Sequence, residues 1–151
     1  MEFIHINADH VQQIAALEAV CFDTPWSERS ILYETQSPLS CWIVAVECDR
    51  VVGYVGSQAV LGEADMMNLA VDPDFRRMGI AEKLVHTLIS ELKDRSVYSL
   101  TLEVRLSNLP AQELYKKLGF LQVGRRPGYY SNPKEDALIL KKEWNNEDSG
   151  N

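Results

Sequence analysis

The chain has 151 residues, of which 46% are hydrophobic and 25% charged, and a formal net charge of −7. This length suits one domain with a single core, and the acidic balance disfavours nucleic-acid binding, which needs a basic surface. No run approaches the ~20 apolar residues of a membrane span, and the first residues lack a signal-peptide pattern. Three cysteines without Cys-x-x-Cys spacing, Cys21, Cys41 and Cys48, predict neither a disulfide framework nor a zinc site. We therefore expect a cytoplasmic protein that binds no membrane, no metal and no nucleic acid directly.

The pattern of apolar and polar residues predicts strands and helices of an α/β domain. Residues that favour helix caps precede both N-terminal helices, Asp9 the first and Ser27 the second. Gly53 and Gly56 interrupt a strand and indicate bulges or close packing. The expected strands cover residues 3–6, 41–47, 51–60, 64–72, 98–104, 120–125 and 135–142, the expected helices cover residues 9–20, 27–36, 78–93 and 108–118, and the last loop holds Pro127, Gly128 and Pro133. We predict one domain over 1–143, with parallel and antiparallel neighbours in its sheet, and a polar tail over 144–151.

The segment 68–85 carries the most informative pattern of the chain. It consists of an apolar strand, a loop with a proline, and a helix whose apolar residues recur every four positions from Ile80 to Leu92. The turn between them reads Arg-x-x-Gly-x-Ala over residues 76–81. A helix start offers unpaired N–H groups and a dipole that favours anions, and Gly79 allows a phosphate to approach the backbone closely. The sequence therefore predicts a pyrophosphate site, with an ordinary strand-to-helix turn as the alternative.

This segment resembles the acetyl-CoA-binding motif of the GNAT superfamily of N-acetyltransferases. A second segment, Leu-Glu-Val-Arg-Leu-Ser-Asn at 102–108, continues to Gly-Phe at 119–120. It resembles the RimI family, the enzymes that acetylate the N-terminal alanine of a ribosomal small-subunit protein. Pro-Trp-Ser at 25–27 and Tyr-Tyr at 129–130 fit the same family. The resemblance extends from residue 1 to about residue 143.

The resemblance implies a GNAT-type domain whose mixed central sheet has helices on both faces and a splayed strand pair that holds acetyl-CoA. Glu103 is then the candidate general base, on the strand face opposite Leu100 and Leu102. Tyr115 is the candidate acid that protonates the departing thiolate. Asn108 lies seven residues earlier on about the same helix face, where it would hold the pantetheine arm or cap the helix. The alternatives are a solvent-facing glutamate, a packing tyrosine and a plain cap.

The cofactor residues also follow from the resemblance. The strand backbone is expected to hydrogen-bond the pantetheine arm, and the loop and helix start are expected to hold the pyrophosphate of acetyl-CoA. The expected cofactor residues are Leu69, Ala70, Val71, Arg76, Arg77, Met78, Gly79, Ile80, Ala81, Glu82 and Asn108. The sequence departs from the family pattern at Ala81, where a second glycine is more frequent, and at Gly128, where Asn commonly precedes the paired tyrosines.

The expected acceptor groove is lined, by analogy, with Pro25, Trp26, Tyr129 and Tyr130. Because no cysteine lies in a local signature with a partner histidine, direct transfer in a ternary complex is expected. The resemblance and the acidic charge favour the basic N-terminus of a ribosomal small-subunit protein, whose α-amine needs ~3 kcal/mol less deprotonation work than a lysine. A lysine side chain, a polyamine or another small amine remains an alternative acceptor. A non-catalytic acyl-CoA-binding module is disfavoured by the two candidate catalytic side chains.

Overall fold

We describe residues 1–144 of a computed structural model of the chain, which contains seven strands and four α-helices in this range. Every predicted element is present, and every end but one lies within two residues of its predicted position. Two single turns of 3-10 helix, Ala8–His10 and Pro73–Phe75, complete the set. The elements are β1 (Glu2–His5), α1 (Val11–Cys21), α2 (Glu28–Gln36), β2 (Ser40–Glu47), β3 (Arg50–Val60), β4 (Glu63–Val71), α3 (Ile80–Asp94), β5 (Ser99–Arg105), α4 (Leu109–Lys117), β6 (Leu121–Tyr130) and β7 (Glu135–Glu143).

The seven strands form one sheet in the order β1-β2-β3-β4-β5-β7-β6. Neighbouring strands are antiparallel except β4 and β5, which are parallel. Parallel strands need a long crossover, and here α3 supplies it between β4 and β5. The predicted mixture of parallel and antiparallel neighbours is therefore confirmed.

Helices cover both faces of the sheet, as the resemblance implied. Strand β2 shows the division, because Cys41 and Ile43 pack in the core cluster beneath α3, whereas Trp42 and Val44 pack in the cluster beneath α1 and α2. Helix α4 adds Tyr115 to the α3 side. No helix within residues 1–144 is long and apolar enough to cross a lipid bilayer.

The first helix begins differently from the prediction. Asn7, not Asp9, is the cap, because its side-chain oxygen accepts the Asp9 N–H at 2.8 Å. The Asn7 N–H in turn donates to His10 Nδ1 at 3.1 Å, and the chain makes one 3-10 turn before the α-helix starts at Val11. Asn and Asp are about equally good caps, so the extended backbone at Asn7 decides between them.

Strand β6 is longer than predicted, and this corrects the expected loop around Pro127 and Gly128. The strand continues to Tyr130 and pairs with β7, with an irregular register between Arg126 and Tyr130. Pro127 is tolerated because β6 is the last strand of the sheet, where a missing N–H breaks no ladder. The connecting loop therefore shrinks to residues 131–134.

The C-terminal end of the described chain is tied to the start of β5. The Trp144 N–H donates to the Tyr98 carbonyl at 3.0 Å, and the indole Nε1–H donates to the Val97 carbonyl at 2.7 Å. Of the predicted tail over 144–151, only Trp144 lies within the described residues.

Candidate active site

Strands β4 and β5 separate after a short paired stretch, which opens the sheet into a V. Their parallel pairing covers only residues 63–65 and 99–101, although β4 continues to Val71 and β5 to Arg105. The splayed strand pair implied by the resemblance is thus present. Beyond the point of separation, the facing edges of β4 and β5 border a space into which an extended ligand can insert.

A bulge in β4 accompanies this separation. Gly56 of β3 pairs with Asn68, whereas the next residue, Ser57, pairs with Met66, so Met67 is an extra residue in β4. Such a bulge bends its strand and increases the local twist. Gly56 is required here, because a Cβ at this position would come within 2.4 Å of the Trp42 ring. The sequence signal at Gly56 therefore marks both a bulge and a close packing contact.

A cleft of about 510 Å³ lies along the V and the start of α3. It brings together nine of the eleven expected cofactor residues; Met78 and Asn108 do not line it. Five lining residues were not expected from the sequence. The lining consists of Leu69, Ala70, Val71, Arg76, Arg77, Gly79, Ile80, Ala81 and Glu82 together with the unexpected Cys21, Phe22, Phe75, Pro110 and Leu114.

The start of α3 faces this cleft without a side-chain cap. Gly79 is its N-cap residue, with φ +76°, and makes no capping hydrogen bond, whereas Asn108 caps α4. A Cβ placed at Gly79 would meet no atom within 4 Å, so the space above the helix start is open. Unpaired N–H groups and the helix dipole make this end favourable for an anion. The geometry therefore suits a phosphate group.

Arg76 joins the loop to both walls of the cleft. Its Nε–H donates to the Val71 carbonyl at 3.2 Å at the end of β4. Its terminal nitrogen lies 3.6 Å from Cys21 Sγ at the end of α1. The guanidinium thus places a positive charge at the junction of β4, α1 and the loop, beside the uncapped helix.

Glu103 lies on the open part of β5, on the face opposite Leu102. Its half-buried carboxylate accepts a hydrogen bond from Arg126 of β6 at 2.9 Å and forms an ion pair with it. Hydrogen bonding to this carboxylate is the main reason why the pKa of Tyr129 is raised. Burial, followed by the charge of Glu103, raises the pKa of Asp65 and that of Tyr130. Glu103 is therefore the centre of a group of ionisable side chains at the V.

Tyr115 reaches from α4 toward β4. Its ring is buried and packs edge-on against Phe120, with ring centroids 5.4 Å apart. The hydroxyl donates to the thioether sulfur of Met66 at 3.6 Å, a weak acceptor. Burial, with a smaller contribution from Tyr130, raises the pKa of the Tyr115 phenol above its usual value. The phenol is thus kept protonated and is not held by a strong acceptor.

Asn108 has the capping role that the sequence suggested. Its side-chain oxygen accepts the Ala111 N–H at 3.2 Å at the start of α4. Proline at the first turn fits the same helix start, since its missing N–H would otherwise be unpaired.

The four residues expected in the acceptor groove fall into two groups. Tyr129 and Tyr130 contact each other edge-on, and Arg126 and Arg105 lie over their respective rings at 4.6 and 4.4 Å. Trp26, which follows Pro25 in the loop before α2, instead packs edge-on against Trp42. The tyrosine pair therefore lies beside Glu103, whereas Trp26 belongs to the core beneath α1 and α2.

Gly128, which departs from the family pattern, keeps a conformation that asparagine also tolerates. Its φ of +62° lies in the left-handed region, which Gly and Asn adopt more readily than other residues. Its N–H donates to the Asp136 carboxylate at 2.8 Å. Glycine therefore fits the left-handed backbone here, where an added Cβ would come within 2.9 Å of Lys134 Cε.

Comparison with known proteins gives consistent results. The model of the acetyltransferase (GNAT) family matches residues 11–120. The chain is 41% identical over 118 residues to the ribosomal protein bS18-alanine N-acetyltransferase of Salmonella typhimurium, which covers 77% of this chain and 79% of that protein. It is 38% identical over 127 residues to the enzyme of the same name from Haemophilus ducreyi, covering 82% of this chain and 87% of that protein.

Among solved structures, the ribosomal-protein-S18-alanine N-acetyltransferase of Escherichia coli superposes with a TM-score of 0.86 at 32% identity, covering 94% of this chain and 92% of that one. Sequence family, close relatives and fold thus agree over most of the chain. The chain therefore belongs to the acetyltransferase (GNAT) family and, within it, to the RimI family of N-acetyltransferases.

Proposed function

We propose that the protein transfers the acetyl group of acetyl-CoA to the N-terminal alanine of a ribosomal small-subunit protein. The observation that carries this proposal is the alignment of the uncapped start of α3 with the V between β4 and β5, at which Glu103 and Tyr115 lie. The cleft at the helix start suits a pyrophosphate, and Glu103 and Tyr115, which do not line that cleft, offer a base and an acid at the V. The relatives named above are alanine N-acetyltransferases, which supports the same acceptor.

The residues present fit acetyl-CoA. Backbone N–H groups of residues 77–82 would hold the pyrophosphate at the open helix start, with Arg76 adding positive charge. The edge of β4 at residues 69–71 would hydrogen-bond the pantetheine arm along the V. The bound cosubstrate supplies an activated acetyl thioester.

Glu103 and Tyr115 would manage the protons of a direct transfer. Glu103, directly or through water, accepts the proton that the amine loses as its nitrogen bonds to the acetyl carbon. Tyr115 donates its proton to the sulfur as the carbon–sulfur bond breaks. The two proton transfers leave an amide, a free thiol, a protonated Glu103 and a deprotonated Tyr115. Glu103 then releases its proton to water and Tyr115 regains one, so no covalent enzyme intermediate is needed.

Replacing Gly79 with aspartate is expected to weaken CoA binding at least 10-fold, a loss of about 1.4 kcal/mol or more. The open space above Gly79 admits the side chain, whose charge then opposes the pyrophosphate. Gly79→Asn is the matched control, because it has similar size and tolerates positive φ but carries no charge. Calorimetric titration with CoA measures both variants. Unchanged CoA affinity in a folded Gly79→Asp variant would contradict the pyrophosphate assignment.

An N-terminal acceptor is favoured by acid–base chemistry and by charge. An α-amine has a pKa near 8 against about 10.4 for lysine, so at pH 7.5 a roughly 100-fold larger fraction is neutral. Asp65 and Glu103 place two carboxylates on one face of the sheet beside the V, which favours a cationic chain. Since ribosomal proteins are the proposed substrates, the cytoplasm is the proposed location.

A peptide panel tests the acceptor. We expect a peptide with N-terminal alanine followed by a basic residue to be acetylated at its α-amine. The same peptide, blocked at its N-terminus but carrying a lysine, should react at least about 100-fold more slowly, because its amine is mostly protonated. CoA release and mass spectrometry measure both reactions. Faster acetylation of the blocked lysine peptide, or of a polyamine, would contradict the proposed acceptor.

A further inference from the structure

A buried carboxylate outside the proposed catalytic pair connects the two walls of the cleft. Glu18 lies in the last turn of α1 and is 0% exposed. Its oxygens accept hydrogen bonds from the Tyr54 hydroxyl, from Asn68 Nδ2 at 2.7 Å and from the Trp26 N–H at 3.2 Å. Within residues 1–144, its recorded partners include no Lys, Arg or His.

Such a carboxylate is an expensive way to fill a core. A carboxylate buried without a cation loses its hydration, and three neutral donors hydrogen-bond it here. Its partner Tyr54 belongs to the core cluster that also contains Ile14, Leu17 and Trp42. An apolar residue of similar size would fill this space with a smaller desolvation penalty. We therefore infer that the role of Glu18 lies in its hydrogen bonds.

Two of the three donors come from segments that line the cleft. Asn68 lies at the bulge of β4, directly before the lining residues 69–71. Trp26 lies in the loop that follows Cys21 and Phe22, which line the opposite wall. Tyr54 lies on β3, the strand that pairs with β4 at the bulge. One carboxylate thus fixes the bulged edge of β4 relative to the end of α1 and the loop after it.

We propose that Glu18 is a positioning residue for acetyl transfer, which acts by holding the β4 bulge and the loop 22–27 in fixed relation across the cleft. It touches neither the proposed cofactor nor the acceptor and acts through Asn68 and Trp26. This inference rests on the proposed function, because its effect is measured as a rate of acetyl transfer. Because a misplacement of about 1 Å can cost on the order of 100-fold in rate, loss of this connection affects turnover more than binding.

The chain offers a matched control in Glu34. This carboxylate is also buried, at 3% exposure, and accepts hydrogen bonds from Trp42 Nε1 at 3.2 Å and from Gln58 Nε2 at 2.9 Å. It connects α2 to β2 and β3, and none of these partners lines the cleft. Glu34→Gln therefore perturbs a comparable buried carboxylate that hydrogen-bonds neither wall and reaches Trp26 and the bulge only through the Trp42 ring.

The test compares Glu18→Gln with Glu34→Gln. We expect Glu18→Gln to lower kcat about 10- to 100-fold while the CoA dissociation constant, set at the start of α3, changes little. Glu34→Gln should lower the melting temperature about as much as Glu18→Gln does, but it should keep the wild-type kcat. Amide hydrogen exchange at 22–27 and 66–71 should accelerate only in the Glu18 variant. Equal kcat values for the two variants, or unchanged exchange in both segments, would overturn the proposal.

A second variant covers the case in which Glu18→Gln does not fold or in which Asn68 turns its amide to satisfy the new side chain. Asn68→Ala cuts the connection to β4 and should lower kcat as Glu18→Gln does, whereas a wild-type kcat would overturn the proposal. The rates are measured with whichever amine the wild-type enzyme acetylates. Failure of the alanine peptide therefore counts against the proposed acceptor, whereas the variant comparison and the exchange data judge Glu18.

Discussion

Tyr115→Phe is expected to slow acetyl transfer about 10²- to 10⁴-fold, the contribution typical of a general acid. The variant keeps the ring and its contact with Phe120 and loses only the hydroxyl, so the fold should persist. Acetyl-CoA affinity should also persist, because Tyr115 does not line the cleft. Single-turnover kinetics, in which chemistry limits the rate, provide the measurement.

The pH dependence of the wild-type enzyme gives a second check on this role. Because burial raises the pKa of the Tyr115 phenol, the group stays protonated at and below its usual pKa of about 10. No loss of rate from tyrosine ionisation is therefore expected between pH 6 and about 9.

The control for the Tyr115→Phe substitution is Tyr33→Phe, since Tyr33 is exposed on α2. Wild-type single-turnover rates in Tyr115→Phe would show that the phenol is not the acid.

Glu103→Gln is expected to lower turnover by a similar factor, about 10²- to 10⁴-fold, with the largest loss at low pH. The direction of this pH dependence follows from the pKa of the acceptor amine. Below its pKa near 8 the α-amine is mostly protonated and depends on a base, whereas above pH 8 more of it is already neutral. The ratio of wild-type to variant rates should therefore fall as pH rises. Rates at several pH values, with an N-terminal alanine peptide, measure it.

The control for this experiment is Glu63→Gln. Glu63 is an exposed carboxylate on the same strand as Asp65, at the paired end of the V. Replacing it with glutamine changes the charge of the protein by the same amount and leaves the Glu103 carboxylate in place. A rate ratio for Glu103→Gln that does not vary with pH would indicate that Glu103 orients its neighbours Arg126 and Tyr129 and does not take the proton.

The strong local patterns of the sequence predicted the elements well. Helix α3 follows from apolar residues at every fourth position, and α2 from Ser27, whose hydroxyl accepts the Ser30 N–H at 3.1 Å. Local patterns failed where tertiary position decides. Pro127 indicates a loop in isolation, but at the outer edge of the sheet it is compatible with a strand.

The candidate site was predicted only in part, for a similar reason. The turn at 76–81 is local, and its glycine and helix start were visible in the sequence. The opposite wall was not, because Cys21 approaches Arg76 across 55 positions of sequence, and Glu18 approaches Asn68 across 50. Pro110 and Leu114 are four residues apart on α4, so helical spacing could have indicated their shared face.

The two ends of the sheet bear on how the protein behaves at high concentration. An open edge strand presents backbone groups onto which another chain can add a strand, a common route to aggregation. The outer strand β6 carries two arginines and a proline at 125–127, where its pairing is irregular, and β1 at the other end has only 4 residues. Charge, a missing N–H donor and short length each oppose strand addition. We expect both edges to resist recruiting a second chain, even though Leu121 and Val123 are exposed on β6.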